Sequence, residues 1–181
     1  MRKNGSGGLV AGVVACVLAL GIPHGDSEAQ VRGGVEGMYT SGSAAVVDHA
    51  YGLGGRLMVE LPRLPVEVHG IFNYHFPSCP SGSPSCSSWT AAGNVVYRGG
   101  GGPYFIGGGV SFHQRDFTLE GTEGSEVVKD WGMNITLGLI LPVLQVIDPI
   151  VEFRYELYDE VQDQFVISLG VVFPGSEPQG R

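Results

Sequence analysis

The chain of 181 residues carries a formal net charge of −8 and contains 30 glycines, 43% hydrophobic residues and only 15% charged residues. Its length is that of one domain with short extensions, and the acidic balance without a basic cluster excludes nucleic acid as an expected partner. No uninterrupted apolar run approaches the roughly 18 residues of a transmembrane helix.

The N-terminal segment is organised as a secretory signal peptide. A positively charged start precedes the apolar run 9–20, and the small residues of Ser27–Ala29 provide a cleavage site. We predict a signal peptide over residues 1–29 and a mature chain that begins at Gln30. Processing as a lipoprotein at Cys16 is the alternative, although apolar residues rather than a polar linker follow that cysteine.

After this segment, apolar and polar residues alternate with a period of two, which predicts β-strands. The clearest stretch is Tyr51–Phe76, two strands joined by a tight corner at Pro62–Pro65. Both strands are longer than the usual strand of about five or six residues. They are long enough to cross a bilayer, for which a tilted strand needs about 9–11 residues. In chain order the predicted strands cover roughly 31–40, 50–61, 65–77, 88–98, 103–115, 127–141, 149–158 and 164–173.

The predicted connections alternate between longer loops at one end of the strands and shorter turns at the other. An even number of strands with this arrangement is typical of a bacterial outer-membrane barrel. We therefore predict an all-β fold, an eight-stranded antiparallel up-and-down transmembrane β-barrel over residues 30–174, followed by a short tail at 175–181.

One face of every predicted strand lacks charged residues and also lacks Ser, Thr, Asn, Gln and His, so we assign these faces to the outside. Aromatic residues collect at the ends of these faces, as in the girdles that anchor barrels at headgroup depth. The predicted girdle at the outer rim consists of Tyr39, Tyr51, Phe76, Trp89, Phe112, Trp131 and Phe165, and that at the inner rim consists of Tyr97, Tyr104 and Phe173.

The opposite faces hold a balanced set of charges. An eight-stranded barrel has an interior just wide enough for side chains to fill, and paired charges there compensate each other's desolvation. We expect Arg32 to lie near Glu60 and Arg56 near Glu36, in a closed interior. The predicted interior network comprises Arg32, Glu36, Arg56, Glu60, Glu67, Arg98, Arg115, Glu152, Arg154 and Glu156.

In strand number, girdles and polar core, the mature chain resembles the small outer-membrane β-barrel family represented by the OmpA transmembrane domain, OmpX and OmpW. The resemblance implies a monomer in the outer membrane, in contact with outer-membrane lipid and lipopolysaccharide. It also implies recognition of a C-terminal aromatic, here Phe173, by the barrel-assembly machinery. Roles in such a family include passive envelope component, surface adhesin, conduit for small hydrophobic molecules and lipid-modifying enzyme.

The mature chain keeps two cysteines, Cys79 and Cys86, separated by flexible turn residues. Because exported proteins meet an oxidising compartment, we predict a disulfide between them. Two free thiols are the alternative. A metal site would have only His75 nearby as a third ligand and falls short of a four-ligand zinc set.

Candidate catalytic groups are few. Ser111 and His113 share a strand face, and His75 and Asp116 are predicted near the same rim, but the shared face points into the barrel. No spacing indicates a nucleophile elbow or a metal-binding histidine pair. We read these residues, and His69, as members of the core network, and we expect no enzymatic activity and no cofactor. Four glycines at 99–102 are read as a turn, because no lysine and no helix follow them.

The predicted outer loops are acidic, with Lys129 as their one basic residue. This composition predicts either a solvated surface or divalent cations that bridge the carboxylates to lipopolysaccharide. The acidic residues are Asp48, Asp116, Glu120, Glu123, Glu126, Asp130, Asp159, Glu160 and Asp163.

The function predicted from sequence is that of a structural or surface-interaction component of the envelope with a closed, charge-paired interior. The alternative is a narrow barrel that conducts small hydrophobic solutes across the outer membrane. A soluble lipocalin-like carrier would need an apolar interior, which the predicted interior charges argue against.

Overall fold

The computed structural model describes residues 30–42, 49–62, 64–77, 85–99, 102–118, 125–142, 146–159 and 163–173. These residues form eight strands. In chain order they are β1 Val31–Gly42, β2 His49–Glu60, β3 Val66–Pro77, β4 Ser85–Tyr97, β5 Tyr104–Thr118, β6 Ser125–Ile140, β7 Asp148–Tyr158 and β8 Gln164–Phe173. In this part of the chain, no helix has the length and apolar character needed to span a bilayer.

The strands form one closed antiparallel barrel in chain order, so the predicted fold class is confirmed. Each strand pairs with its sequence neighbours, and β1 closes the barrel by pairing with β8, for example Gly37 opposite Leu169. We call the end where β1 begins and β8 ends, with the β2–β3, β4–β5 and β6–β7 turns, the inner end. The other end, with the β1–β2, β3–β4, β5–β6 and β7–β8 loops, is the outer end.

All eight predicted strands are present, and β4, β5 and β6 extend further at the outer end than predicted. β4 begins at Ser85, so Cys86 lies in a strand and not in the preceding loop. The ladder between β5 and β6 continues to the pair Thr118–Ser125. Asp116 and Glu126 are therefore strand residues, because the backbone pairing of β5 with β6 continues past the predicted strand limits at 115 and 127.

The longer strands make the outer end uneven. The pairing of β4 with β5 reaches Ser85 opposite Thr118, whereas the pairing of β6 with β7 ends at Gly132 opposite Tyr158. A sheet formed by β4, β5 and β6 thus projects beyond the rest of the rim. We call it the projecting sheet, and it extends the barrel on one side of the outer end.

Several inward positions are glycines over which a neighbouring side chain lies. An added Cβ on Gly109 would collide with the carbonyl oxygen of Gly93 and the side chain of Asn94, and one on Gly138 would collide with the Phe105 ring. Glycine at these positions lets larger side chains lie against the wall. This arrangement allows a narrow barrel to hold long side chains in its interior.

The inner end of the interior is filled by an apolar cluster. Its members come from six strands and are at most 3% exposed. Close packing of this kind leaves little room for water, so the cluster forms an apolar plug beneath the polar groups at mid-height and level with the charges at the inner end. The plug consists of Met58, Val96, Phe105, Ile140, Ile150 and Val172.

Candidate functional site: a charge-filled interior and an apolar exterior

Four predicted charges meet at the inner end of the barrel. The Arg32 guanidinium lies 3.2 Å from Glu60 and 3.1 Å from Glu67. Arg98, just past the end of β4, also reaches Glu67 at 3.2 Å and donates through Nε to the carbonyl oxygen of Gly102 at 2.7 Å. Glu60 is 40% exposed in its side chain, whereas Glu67 is buried. This group therefore borders solvent on one side.

A second group of charges lies at mid-height and crosses the barrel. Arg56 on β2 binds Glu36 at 2.7 Å and also binds Glu152 on β7. Arg154 on β7 binds Glu152 at 2.9 Å and Glu156 at 2.7 Å. All five side chains are almost completely buried. Each carboxylate has a guanidinium partner, and burial is tolerable because the charges are paired and hydrogen-bonded.

His69 joins these two groups. Its Nε2 lies 3.0 Å from Glu67, and its Nδ1 lies 3.4 Å from an Arg56 nitrogen. Because a guanidinium can only donate, Nδ1 accepts and Nε2 carries the proton that is donated to Glu67. His69 is thus a hydrogen-bonded member of the core network in the structure.

Asn73 completes the mid-height group from β3. In the amide orientation that satisfies all its neighbours, its nitrogen donates to the Phe72 carbonyl at 3.0 Å and to Glu36 at 3.2 Å. Its oxygen accepts from Arg154 at 3.1 Å. Arg154 therefore extends from β7 across the interior to β3.

The outer half of the interior contains the histidines that were considered for catalysis. His113 lies 2.9 Å from the hydroxyl of Ser88, not that of Ser111. Ser111 instead accepts from Asn134 at 2.8 Å and donates to Glu156 at 3.4 Å. The rings of His75 and His113 stack with centroids 6.0 Å apart. Ser111 and His113 therefore do not bond each other, and only Glu156 and Gln164 link them.

The Ser88–His113 contact is not arranged as a nucleophile and base. The amide of Gln164 lies 3.3 Å from Nδ1 of His113 and 2.8 Å from Glu156. An amide that donates to Nδ1 leaves the ring proton on Nε2, which then donates to Ser88. A base needs an unprotonated nitrogen at the nucleophile, so the hydrogen bonding favours a structural role.

Two acidic residues near the outer end differ from their predicted surroundings. Asp130 was assigned to the acidic loops, but it is 6% exposed on the inward face of β6 and accepts from the Trp131 backbone at 2.8 Å. Asp116 accepts from Gln114 at 3.4 Å within β5. Arg115 is half-buried on the same strand. Of the other predicted loop acids, Asp48, Glu120, Glu123 and Glu160 lie outside the described residues.

Cys86 is disulfide-bonded. Cys79, its predicted partner, lies outside the described residues, as does the whole predicted signal peptide with Cys16. The pairing of Cys79 with Cys86 stays a prediction. The described residues contain no group of three or more His, Cys, Asp or Glu side chains suited to a metal ion.

The ten predicted girdle residues all lie on the outward faces of their strands. At the outer rim they contact one another around part of the barrel. The Trp89 ring lies 5.2 Å from Phe112, which lies 4.8 Å from Trp131, and Tyr39 lies 5.3 Å from Tyr51, all between centroids. At the inner rim, Tyr104 is 69% exposed.

The belt has a second aromatic row that was not predicted from the sequence. Phe72 stacks on Trp89 at 5.7 Å, and Tyr74 meets Phe76 edge to face at 5.4 Å. On the strand of the predicted girdle residue Phe76, Tyr74 lies one outward position further from the rim and Phe72 lies two. The sequence feature that indicates this row is the run of aromatic residues at alternate positions of β3, namely Phe72, Tyr74 and Phe76.

The apolar exterior has the height expected for a lipid-facing band. On β6 the outward residues from Trp131 to Leu141 are all apolar, and Met133 and Ile135 are 68% and 59% exposed. Ten residue steps of about 3.3 Å, tilted by about 40°, span roughly 25 Å, which is the height of the apolar band of outer-membrane barrels. Lys129 is the next outward residue beyond Trp131.

A closed eight-stranded barrel with an apolar exterior and a charged interior is the fold of the small outer-membrane β-barrels. Three solved structures with this fold are similar to the chain at 15% sequence identity each. Neisserial surface protein A (NspA) has a TM-score of 0.57 over 81% of this chain and 96% of that protein. Ail, the attachment invasion locus protein of Yersinia pestis, scores 0.53 over 82% and 100%.

The third is the N-terminal β-barrel domain of Pseudomonas aeruginosa OprF, with a TM-score of 0.53 over 81% of this chain and 98% of that one. No family model matches the chain, and no curated protein is similar to it in sequence. At this level of identity the likeness establishes the fold.

Proposed function

We propose that the protein is an outer-membrane β-barrel that serves as a structural or surface-interaction component of the bacterial envelope, with a closed, charge-paired interior. The observation that carries this proposal is that the barrel wall is apolar on its outer surface and charged on its inner surface. Leu57 and Ile135 are about 60% exposed on the outside, while Arg154 and Glu152 are buried on the inside. In water this arrangement would expose a continuous apolar band, whereas lipid would cover it.

Export and assembly fit the same proposal. The predicted signal peptide at residues 1–29 would deliver the chain to the periplasm. Phe173, outward-facing at the end of β8, is the aromatic we propose for recognition by the barrel-assembly machinery. Outer-membrane lipid and lipopolysaccharide would then surround a monomeric barrel.

The filled interior favours a closed barrel over the conduit for small hydrophobic solutes. A solute moving along the axis would have to displace the apolar plug at the inner end and then the paired charges at mid-height. Opening a path between Arg56 and Glu152 would separate a buried ion pair, at a cost of several kcal/mol (about 3–5). We propose no enzymatic activity, since the Ser88–His113 contact leaves the serine without a base.

The projecting sheet supports the surface-interaction role. It extends β4, β5 and β6 beyond the aromatic belt, where it would stand outside the membrane. Ail, one of the similar structures, is described as an attachment invasion locus protein and has been solved with the heparin analogue sucrose octasulfate. The outer loops of the present chain are acidic, so we propose cationic rather than polyanionic partners, including divalent cations that bridge carboxylates to lipopolysaccharide.

Location and fold are tested by fractionation and heat-modifiability. We expect the processed protein in the outer-membrane fraction, and we expect different gel migration before and after boiling because a detergent-stable barrel stays compact until it is heated. A processed protein that remains monomeric and folded in buffer without detergent would contradict the membrane assignment.

Conductance separates the closed barrel from the conduit. Protein refolded into a planar bilayer should give no regular single-channel events, with insertion verified by heat-modifiable migration of the same sample. Reproducible unitary conductance steps from inserted protein would favour the conduit.

A further inference from the structure

The β6–β7 turn at the inner end carries exposed apolar side chains. Val146 is 71% exposed, and Leu141 is 36% exposed beside the exposed Pro142. The sequence contains no charged residue between Trp131 and Asp148. Turns between strands are usually polar, since water surrounds them. An exposed apolar turn therefore indicates a surface that another molecule covers.

The other two inner turns differ in composition. The β2–β3 turn contains Arg63 and follows the half-exposed Glu60. Its Leu64 is 59% exposed, but the charged residues nearby in the chain suit contact with water. The β4–β5 turn consists of Arg98, four glycines and a proline. Of the three inner turns, the β6–β7 turn is thus the one that combines exposed apolar side chains with a charge-free sequence.

This turn is continuous with the apolar exterior of the barrel. Leu139 on β6 is paired with Tyr104 of the inner girdle, and Leu141 is the next outward residue toward the inner end. Across the turn, the outward face of β7 continues with Val151, which is paired with Leu139. The Leu141 backbone N–H donates to the Pro149 carbonyl at 2.9 Å and holds the ends of the turn together. The turn therefore continues the lipid-facing surface of β6 and β7 past the inner girdle.

Size and position favour lipid as the molecule that covers the turn. A standard protein interface buries about 800 Å² on each partner, which is far more than the side chains of Leu141, Pro142 and Val146 offer. Interfacial segments, in contrast, bury apolar side chains about 5–10 Å into the boundary between headgroups and acyl chains. In the proposed membrane location, this boundary lies at the inner girdle, next to the turn.

We propose that the β6–β7 turn is a lipid anchor, with the side chains of Pro142 and Val146 inserted in the headgroup–acyl boundary of the periplasmic leaflet. This inference rests on the proposed membrane location and adds a lipid-binding surface beyond the apolar band. The charge-free turn enters the boundary without desolvating a charge, whereas the β2–β3 turn carries Arg63 and stays in water.

The test is the accessibility of spin labels to oxygen, which concentrates in lipid, and to a nickel chelate, which stays in water. Labels are attached through Val146→Cys, Leu64→Cys and Ile135→Cys, each in processed protein that also carries Cys79→Ser and Cys86→Ser. The proteins are folded into lipid vesicles, and folding is verified by heat-modifiable migration. The ratio of oxygen to nickel accessibility at position 146 should be several times that at position 64.

The two other positions are the controls. Leu64 is an exposed apolar residue of another inner turn, and Ile135 is an exposed residue of the apolar band. A ratio at position 146 equal to that at position 64 would overturn the proposal, because the turn would then lie in water. A label at position 146 that neither reagent reaches would overturn it in favour of contact with a second copy. A nickel-accessible label at position 135 would instead contradict the membrane location itself.

Variants that keep the native cysteines give an independent measurement. Val146→Asp should lower the urea midpoint of the barrel in vesicles, because a carboxylate would replace an apolar side chain in the leaflet. Leu64→Asp should change the midpoint little, since that side chain is already in water. Equal midpoints for the two variants would also overturn the proposal.

Discussion

Each buried arginine at mid-height is held by two carboxylates. Arg56 binds Glu36 and Glu152, and Arg154 binds Glu152 and Glu156. These charges are stable inside a narrow barrel only when all of them are present, because the removal of one leaves its partners buried without compensation. The inner-end pair of Arg32 with Glu60 differs, since Glu60 is partly exposed to solvent.

We predict that Arg56→Met lowers the free energy of unfolding by about 3–5 kcal/mol, because Glu36 and Glu152 lose a buried cation. The matched control is Glu60→Gln, which removes a half-exposed charge and should cost about 1 kcal/mol or less. Urea unfolding of barrels refolded into lipid vesicles measures both values. Equal losses for the two variants would show that burial does not set the cost.

The cysteines give a second prediction for single residues. If Cys86 pairs with Cys79, the folded, processed protein should react with a thiol reagent only after reduction. Mass spectrometry of alkylated protein measures this, and a proteolytic peptide that contains both cysteines should appear from the unreduced sample. Cys79→Ser is the control, because it should leave Cys86 reactive without reduction in the monomer.

Within a strand, alternate residues face the interior and the outside of the barrel. Glycine occurs on both faces, but its surroundings differ between them. An inward glycine such as Gly109 lies under the side chain of a neighbouring strand. An added Cβ on an outward glycine such as Gly70 would have no atom within 4 Å beyond those of the adjoining residues in the chain. The two kinds of glycine are alike in sequence and differ in what lies over them.

We predict that Gly109→Ala destabilises the barrel by about 1–3 kcal/mol or more, because the added methyl group would collide with the backbone oxygen of Gly93. Gly70→Ala is the matched control and should change stability little, since alanine suits a strand at least as well as glycine. The fraction of heat-modifiable protein and the urea midpoint measure the effect. Destabilisation by Gly70→Ala instead would contradict the assignment of the two faces.

The whole barrel presents one apolar band between two aromatic rims. The depth of an outward residue in the bilayer determines how much a charged substitution there destabilises the barrel. Ile135 lies near the middle of the band on β6, and Val127 lies on the same outward face of the projecting sheet, beyond Trp131. Both are about half exposed or more. They therefore differ in depth more than in local packing.

We predict that Ile135→Arg costs about 2–4 kcal/mol in lipid vesicles, as for arginine at the bilayer midplane, and that Val127→Arg costs about 1 kcal/mol or less, as near the interface. The same pair of variants compared by urea unfolding is the measurement. Similar small costs at both positions would mean that the band of β6 does not face lipid.

The existence of each strand and the orientation of its two faces could be predicted from sequence, because a period-two alternation is read from consecutive residues of one strand. The apolar faces of all eight strands and the ten girdle residues follow from choosing one face per strand. The neighbouring pairs Arg32–Glu60 and Arg56–Glu36 could also be anticipated, since consecutive strands pair in a hairpin. The inward position of Asp130 also follows from the alternation, because Asp130 precedes the outward Trp131 within the predicted strand 127–141. The strand positions of Asp116 and Glu126 could not be predicted, because they depend on how far the ladder of β5 and β6 continues.

The amino-acid sequence by itself determined that this chain forms eight long amphipathic strands with an oily side and a charged side, because burial and exposure alternate with the pleat. Only the closed barrel decided which charges meet across the lumen, such as Arg56 with Glu152. It also decided which hydroxyl faces His113. The Arg56–Glu152 contact joins residues far apart in the chain, so it exists only after β1 pairs with β8 and the radius of the barrel is set.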